Sequence, residues 1–203
     1  VYKRQPEALL ATYGAERRPV AQQLIDFDRE WSTLMARKPS EITDPTDLAT
    51  YYLATAEFPS GFMTQYTSSM ITGSDAHQSL AVGYPLGKRF KSAEVVRVGD
   101  GNAIHLGHHA KADGRWRVYA FAGRDAATLD AWAAAAAPVF ERFTSADADT
   151  DAVFDVKAIY QQPYEEIEVT STPALFQPKT GPLGLTDWAV SYTHLTLPTK
   201  RIV

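Results

Sequence analysis

The chain contains no cysteine. That excludes disulfides, thiolate zinc sites, cysteine nucleophiles and dithiol redox chemistry within these residues. It also lacks any apolar run near the roughly 18 residues of a membrane-spanning helix. There is no excess of positive charge: 24 acidic residues face 20 basic ones, a formal net charge of −4, which argues against a nucleic-acid partner. The recurrent phosphate, hydrolase and zinc motifs (Walker loop, G-x-S-x-G, H-E-x-x-H) are missing too. What remains is an ordinary globular composition of 203 residues, 45% hydrophobic and 22% charged, enough for one medium domain or a small domain with an arm. Collagen, coiled coil and disorder do not fit it.

Both ends read as foreign to the gene. Val1-Tyr-Lys-Arg-Gln5 is encodable as GTG TAT AAG AGA CAG, and Val190-Ser-Tyr-Thr-His194 as GTC TCT TAT ACA CAC. The reverse complement of the first overlaps the second in another frame, as translated sequencing adapters would. Residues 1–5 and 190–203 are therefore expected to be adapter scar and are set aside from the fold reading. The expected natural part, about Pro6–Ala189, carries 16 basic and 24 acidic residues, a net charge near −8.

Residues 7–18 and 19–36 are expected to form two helices separated at Pro19, which lacks an N–H donor and suits a first turn. Val20, Leu24, Phe27, Trp31 and Leu34 keep the i, i+3/i+4 rhythm of one inward face. Asp44 and Pro45 predict a further helix over 45–57, capped by the first and opened by the second, with Leu48, Tyr51 and Tyr52 inward. Gly and Pro punctuate 58–92, which reads as a linking loop with one short strand at most.

From 93 the texture becomes β-rich. Glu94–Val98, Trp116–Phe121 and Val153–Tyr160 read as strands. Asp125 is a candidate cap for a helix over 126–143, with Leu129, Trp132, Ala136, Phe140 and Phe143 inward and a kink or restart at Pro138. A final loop or short strand is expected near 183–188. Strands alternating with a helix imply an α/β layer.

The candidate chemistry is thin. Gly99-Asp-Gly101-Asn-Ala-Ile104 has Ile where a dinucleotide loop needs its third glycine, so a turn is expected. His105, His108 and His109 would share a face only on an α-helix, and a solvated cluster is the simpler reading of them. Glu165, Glu166 and Glu168 read as a solvated acidic edge rather than an acid–base pair. No catalytic, cofactor-binding or metal-ligating residue is assigned.

The order of several short segments nevertheless resembles one family. Leu9-Leu-Ala-Thr-Tyr13-Gly-Ala-Glu16-Arg17-Arg-Pro19 leads to Leu24-Ile-Asp-Phe27-Asp, then Phe58-Pro-Ser-Gly61 and Tyr66. Gly87-Lys-Arg89-Phe, His105-Leu-Gly-His-His-Ala-Lys-Ala-Asp-Gly114, Val118-Tyr-Ala-Phe121-Ala-Gly123 and Phe154-Asp-Val-Lys-Ala-Ile-Tyr160 follow, with Gly184-Leu-Thr-Asp187 last. Together they resemble the C-terminal part of the FAD-dependent aromatic hydroxylases, in the branch of phenol 2-monooxygenase and 3-hydroxybenzoate 4-monooxygenase.

The resemblance implies an α/β fold class: a helical arm from a flavin domain, then a thioredoxin-like C-terminal domain used in dimer contacts. It divides the chain into 6–58 (helical tail of the FAD/substrate domain), 59–92 (linker) and 93–189 (thioredoxin-like dimerisation domain). It implies a cytoplasmic homodimeric parent that uses FAD, NADPH and O₂ to hydroxylate a phenolic substrate, without nucleic-acid or membrane partners. The flavin signatures would lie upstream of Pro6, so no cofactor is expected on these residues. The competing reading is a free-standing, non-enzymatic thioredoxin-like interaction module.

Overall fold

The computed structural model describes residues 6–38, 46–123 and 126–194. It resolves into two units, Val1–Lys91 and Ser92–Val203.

The first unit opens with a single helix, α1 (Glu7–Met35), that runs through Pro19. The expected break at Pro19 does not occur. The proline removes one helical hydrogen bond, and the carbonyl it would have engaged, on Ala15, belongs to an exposed residue that water can satisfy. A second helix, α2, spans Asp47–Thr55; the cap and opening residue expected before it, Asp44 and Pro45, lie outside the described residues. Aromatic rings join the two helices. Trp31 stacks on Tyr51 with centroids 6.0 Å apart, Tyr51 donates to Glu30 Oε2 at 2.9 Å, and Phe27 meets Phe58 at 5.4 Å. Leu24, Leu48 and Tyr52 were expected inward but remain exposed, although the Tyr52 ring meets Trp31 at 6.0 Å. Residues 58–92 hold one 3-10 turn, Gln78–Leu80, and no strand; their recurrent glycines and prolines favour turns.

The second unit is a layered α/β body. Its strands are β1 (Glu94–Arg97), β2 (Ala103–His105), β3 (Trp116–Phe121), β4 (Phe154–Tyr160), β5 (Lys179–Thr180), β6 (Leu185–Thr186) and β7 (Ser191–His194), and its helix is α3 (Ala126–Glu141). The main sheet has five strands in the order β2-β1-β7-β4-β3, and β5 and β6 form a separate two-stranded ladder. β3 and β4 are parallel, joined by α3, with Trp116 opposite Phe154 and Val118 opposite Val156. β7 runs parallel to β4 and antiparallel to β1. The α/β class thus stands, and the sheet is mixed.

β7 is the strand missed in the sequence. Residues 190–194 had been set aside, yet Ser191–His194 occupies the middle of the sheet and Tyr192 is fully buried. The alternation of Val190, Tyr192 and β-branched Thr193 suits a strand covered on both faces. The hairpin partner β2 was also missed, since three residues carry too little pattern to separate a strand from a turn.

One face of the sheet holds the core. Val118, Ala120, Val156, Ala158 and Tyr160 pack under Leu129, Ala133 and Phe140 of α3, with Phe176 and Val190 closing the sides. The buried positions of α3 are Leu129 and Ala133, whereas Trp132 and Phe143, expected inward, are exposed. Small Ala133 lets the helix approach the sheet and carries its bulky neighbour Trp132 to the margin, where that ring stacks on Phe176 at 6.3 Å. α3 continues through Pro138 to Glu141 as one element, and its expected cap Asp125 lies outside the described residues.

Candidate functional site

The opposite face of the sheet carries charge. Successive residues of a strand point to alternate faces, so Val156 and Ala158 enter the core while Asp155 and Lys157 leave it on the far side. Both are nonetheless buried. Asp155 accepts a hydrogen bond from Lys157, and Arg117 Nε lies 2.9 Å from its second oxygen without the alignment of a hydrogen bond. Arg117 Nη2 donates to both oxygens of Asp113 at 2.8 Å and to the Lys111 carbonyl at 2.7 Å. Arg115 donates to Asp113 at 3.0 Å and to Asp151. Three carboxylates therefore alternate with three cations. Burial of charge at this density is tolerated because each is paired.

The electrostatics follow from the packing. Hydrogen bonds from Arg117, with Arg115 adding to them, hold the Asp113 carboxyl well below the usual carboxylate range. Burial lowers the Lys157 ammonium, and Asp155 opposes that shift. A polar cleft of about 100 Å³ borders the cluster and is lined by His109, Lys111, Asp187 and Tyr192 besides the ions. Burial lowers His109 and raises Tyr192, whose hydroxyl donates to the Ala189 carbonyl. The cleft thus brings together an imidazole, a phenol and paired ions. It offers no activated nucleophile with a matched base.

The other candidates resolve as structure. Gly101, at φ +69°, turns the β1–β2 hairpin: its N–H donates to the Arg97 carbonyl at 2.8 Å and Arg97 N–H to Asn102 at 2.9 Å. These amides are spent within the turn, and the segment joins two antiparallel strands rather than a strand to a helix. It does not fit a flavin or nicotinamide phosphate. His105 ends β2, while His108 and His109 sit on a 3-10 turn, Leu106–His109. The spacing therefore does not place them on one α-helical face. His105 and His108 rings are 5.4 Å apart, but His109 turns to Tyr192. Among the described residues no group of three or more His, Cys, Asp or Glu is drawn together as metal ligands. Glu165, Glu166 and Glu168 are exposed, and Glu168 caps the next turn by accepting from Thr170 Oγ1 at 2.6 Å. Among the described residues no helix is long and apolar enough to cross a membrane.

The surface is more telling than the cleft. Trp116, Phe121, Trp132, Val139 and Phe143 all remain exposed on the second unit, whereas Tyr160 is core. Exposed aromatic side chains of this kind are enriched at protein–protein interfaces. The family comparison agrees. Residues 64–200 match the family described as phenol hydroxylase, C-terminal dimerisation domain, and the chain belongs to that family.

Among curated relatives it is 44% identical over 193 residues to 3-hydroxybenzoate 4-monooxygenase of Comamonas testosteroni, covering 89% of this chain and 30% of that protein. An FAD-dependent monooxygenase of Aspergillus terreus is 28% identical over 194 residues, covering 88% of this chain and 32% of its own length. A phenol 2-monooxygenase of Aspergillus fumigatus is 39% identical over 120 residues, covering 57% of this chain and 20% of its own length. The chain spans about a third or less of the length of these relatives.

Proposed function

We propose that this chain is the C-terminal structural and dimerising part of a cytoplasmic FAD-dependent monooxygenase that hydroxylates phenolic aromatic compounds with NADPH and O₂. The observation that carries the reading is the 44% identity over 193 residues to a 3-hydroxybenzoate 4-monooxygenase. The flavin, when bound elsewhere in the parent, would supply the oxygen-activating chemistry. The residues described here contribute no step of it. Their part is to brace and to assemble: the half-buried stripe Val20, Phe27, Trp31 and Leu34 of α1 suits packing on a flavin domain, and the second unit suits self-association. The parallel β3–α3–β4 unit, joined through β7 to the antiparallel β1–β2 hairpin, supports a thioredoxin-like reading of that domain, with 59–92 as linker. That the two ends can be encoded as overlapping inverted repeats supports reading 1–5 and 190–203 as adapter-derived.

The test is to recover the gene upstream and express the whole protein. A strand followed by G-x-G-x-x-G, a bound flavin absorbing in the visible, and phenol-dependent NADPH and O₂ consumption are expected. The 203-residue chain alone should be colourless and without NADPH oxidase activity. A parent without flavin, or flavin held stoichiometrically by the 203 residues through gel filtration, overturns the reading. The former outcome would favour the non-enzymatic interaction module.

A further inference from the structure

We propose that two copies of this chain meet through one face, built from Trp116 at the start of β3, Val139 near the end of α3 and Phe143 just beyond it. The proposal rests on the dimerising role given above and adds to it the surface that does the work.

The three side chains are 70%, 51% and 63% exposed, respectively, and they are joined by a shared floor. Trp116 sits beside Phe154 in register on the neighbouring strand. Phe154 stacks on Phe140 at 4.6 Å and meets Phe143 edge-on at 6.3 Å. The result is one aromatic surface, rigid beneath and bare above. Rings held in place by packing lose little freedom on binding, which is why aromatics concentrate at interfaces.

The outer side of α3 extends this surface. Ala131, Ala135, Pro138 and Val139 are exposed there, and no charged residue occurs between Asp130 and Glu141. A helix facing only water would carry polar groups on that side.

Charge selects the partner. Ser92–His194 holds 14 acidic and eight basic side chains, so two copies repel over most of their surface. At this face the rim is balanced instead, by Glu141 and Arg142. The Arg142 guanidinium lies 5.9 Å over the Phe143 ring. A two-fold arrangement presents the same patch from both copies. It can set each Arg142 towards the Glu141 of the other, so the contact is self-complementary where the rest of the surface is not.

The absence of cysteine makes the test direct. Sedimentation of the 203-residue chain should show a dimer. Phe143→Glu and, from the other side of the patch, Trp116→Glu should each weaken dimerisation at least about tenfold. Ala103→Glu should leave it unchanged, since Ala103 is exposed on β2 at the opposite edge of the sheet. Phe143→Cys should form a covalent dimer on mild oxidation, and Ala103→Cys should not. Dimerisation as tight as wild type in both Glu variants, with folding preserved by circular dichroism, overturns the surface while leaving the dimer reading intact. A wild-type chain that stays monomeric at all concentrations overturns the dimer reading and the surface with it.

Discussion

The two units of this chain are built on different principles. In the first, a 29-residue helix has no buried residue, and its longer contacts are rings touching rings: Trp31 on Tyr51, Phe27 on Phe58. In the second, every fully buried side chain of the described residues is found, from Val95 to Thr193. The lesson concerns where stability can come from. Burial of apolar area is the dominant favourable term in folding, so the second unit can hold itself together. The first has helix propensity and a few aromatic contacts, which rarely suffice alone.

The largest test of that contrast is truncation around β7. A chain of residues 88–194 should melt cooperatively. One of residues 88–189 loses the strand between β1 and β4, together with buried Tyr192, and should melt broadly or not at all by calorimetry. Equal transitions for the two would show that Ser191–His194 contributes nothing to the fold.

Point substitutions should divide the same way. Phe176, 1% exposed, closes the core beneath Trp132, and Phe176→Ala should cost the second unit about 3–5 kcal/mol in urea unfolding. Leu24→Ala on exposed α1 should stay within about 0.5 kcal/mol. A comparable loss at Leu24 would mean that α1 is covered in a way the first unit does not show.

Alkaline pH should strain the second unit most, because Tyr160 and Tyr192 are buried there. Burial pushes Tyr160 up to about 12 from an ordinary value of 10.0, and Tyr192 is shifted in the same direction. A folded value above the unfolded one means that the stabilisation is fully present below about pH 10 and is lost as pH rises through the folded value. Lys157, lowered by burial, acts oppositely below its ordinary 10.5, because the unfolded chain binds the proton more readily there. Above about pH 10 the two tyrosines should dominate. Phenolate absorbance on a pH jump should therefore rise in a fast step from exposed tyrosines and a slow step that follows unfolding. A single fast step would contradict the burial of these rings. The smallest effect is expected at Pro19: Pro19→Ala restores one helical hydrogen bond and should slow amide exchange in α1 around Ala15–Gln23, with the melting temperature of the second unit unmoved.

Much of this was legible in the residues. The strand Trp116–Phe121 and the helix beginning near 126 followed from β-branched and aromatic runs and from 3.6-residue periodicity. The turn at Gly101 and the failed glycine motif were both readable from Ile104. The ion cluster was not. The parallel register of β3 on β4 sets Arg117 against Asp155 and Lys157, while Asp113, Arg115 and Asp151 join from the segments just before those strands. Lys157 and Asp155 might have been flagged by their position inside an otherwise apolar strand, an arrangement that demands a partner.

What the sequence determined by itself is therefore local: which segments are helix or strand, which chemistries are absent for lack of residues, and which family the ordered motifs resemble. What only the tertiary structure decided is everything that depends on who lies opposite whom. It made one helix through Pro19, since solvent satisfies the lost carbonyl. It put Tyr192 at the centre of a sheet whose other strands lie more than thirty residues away in the chain. It turned Trp132 and Phe143 outward because Leu129 and Ala133 met the sheet first. Periodicity names a face of an element, but burial is a property of two surfaces, and the second surface is not written next to the first.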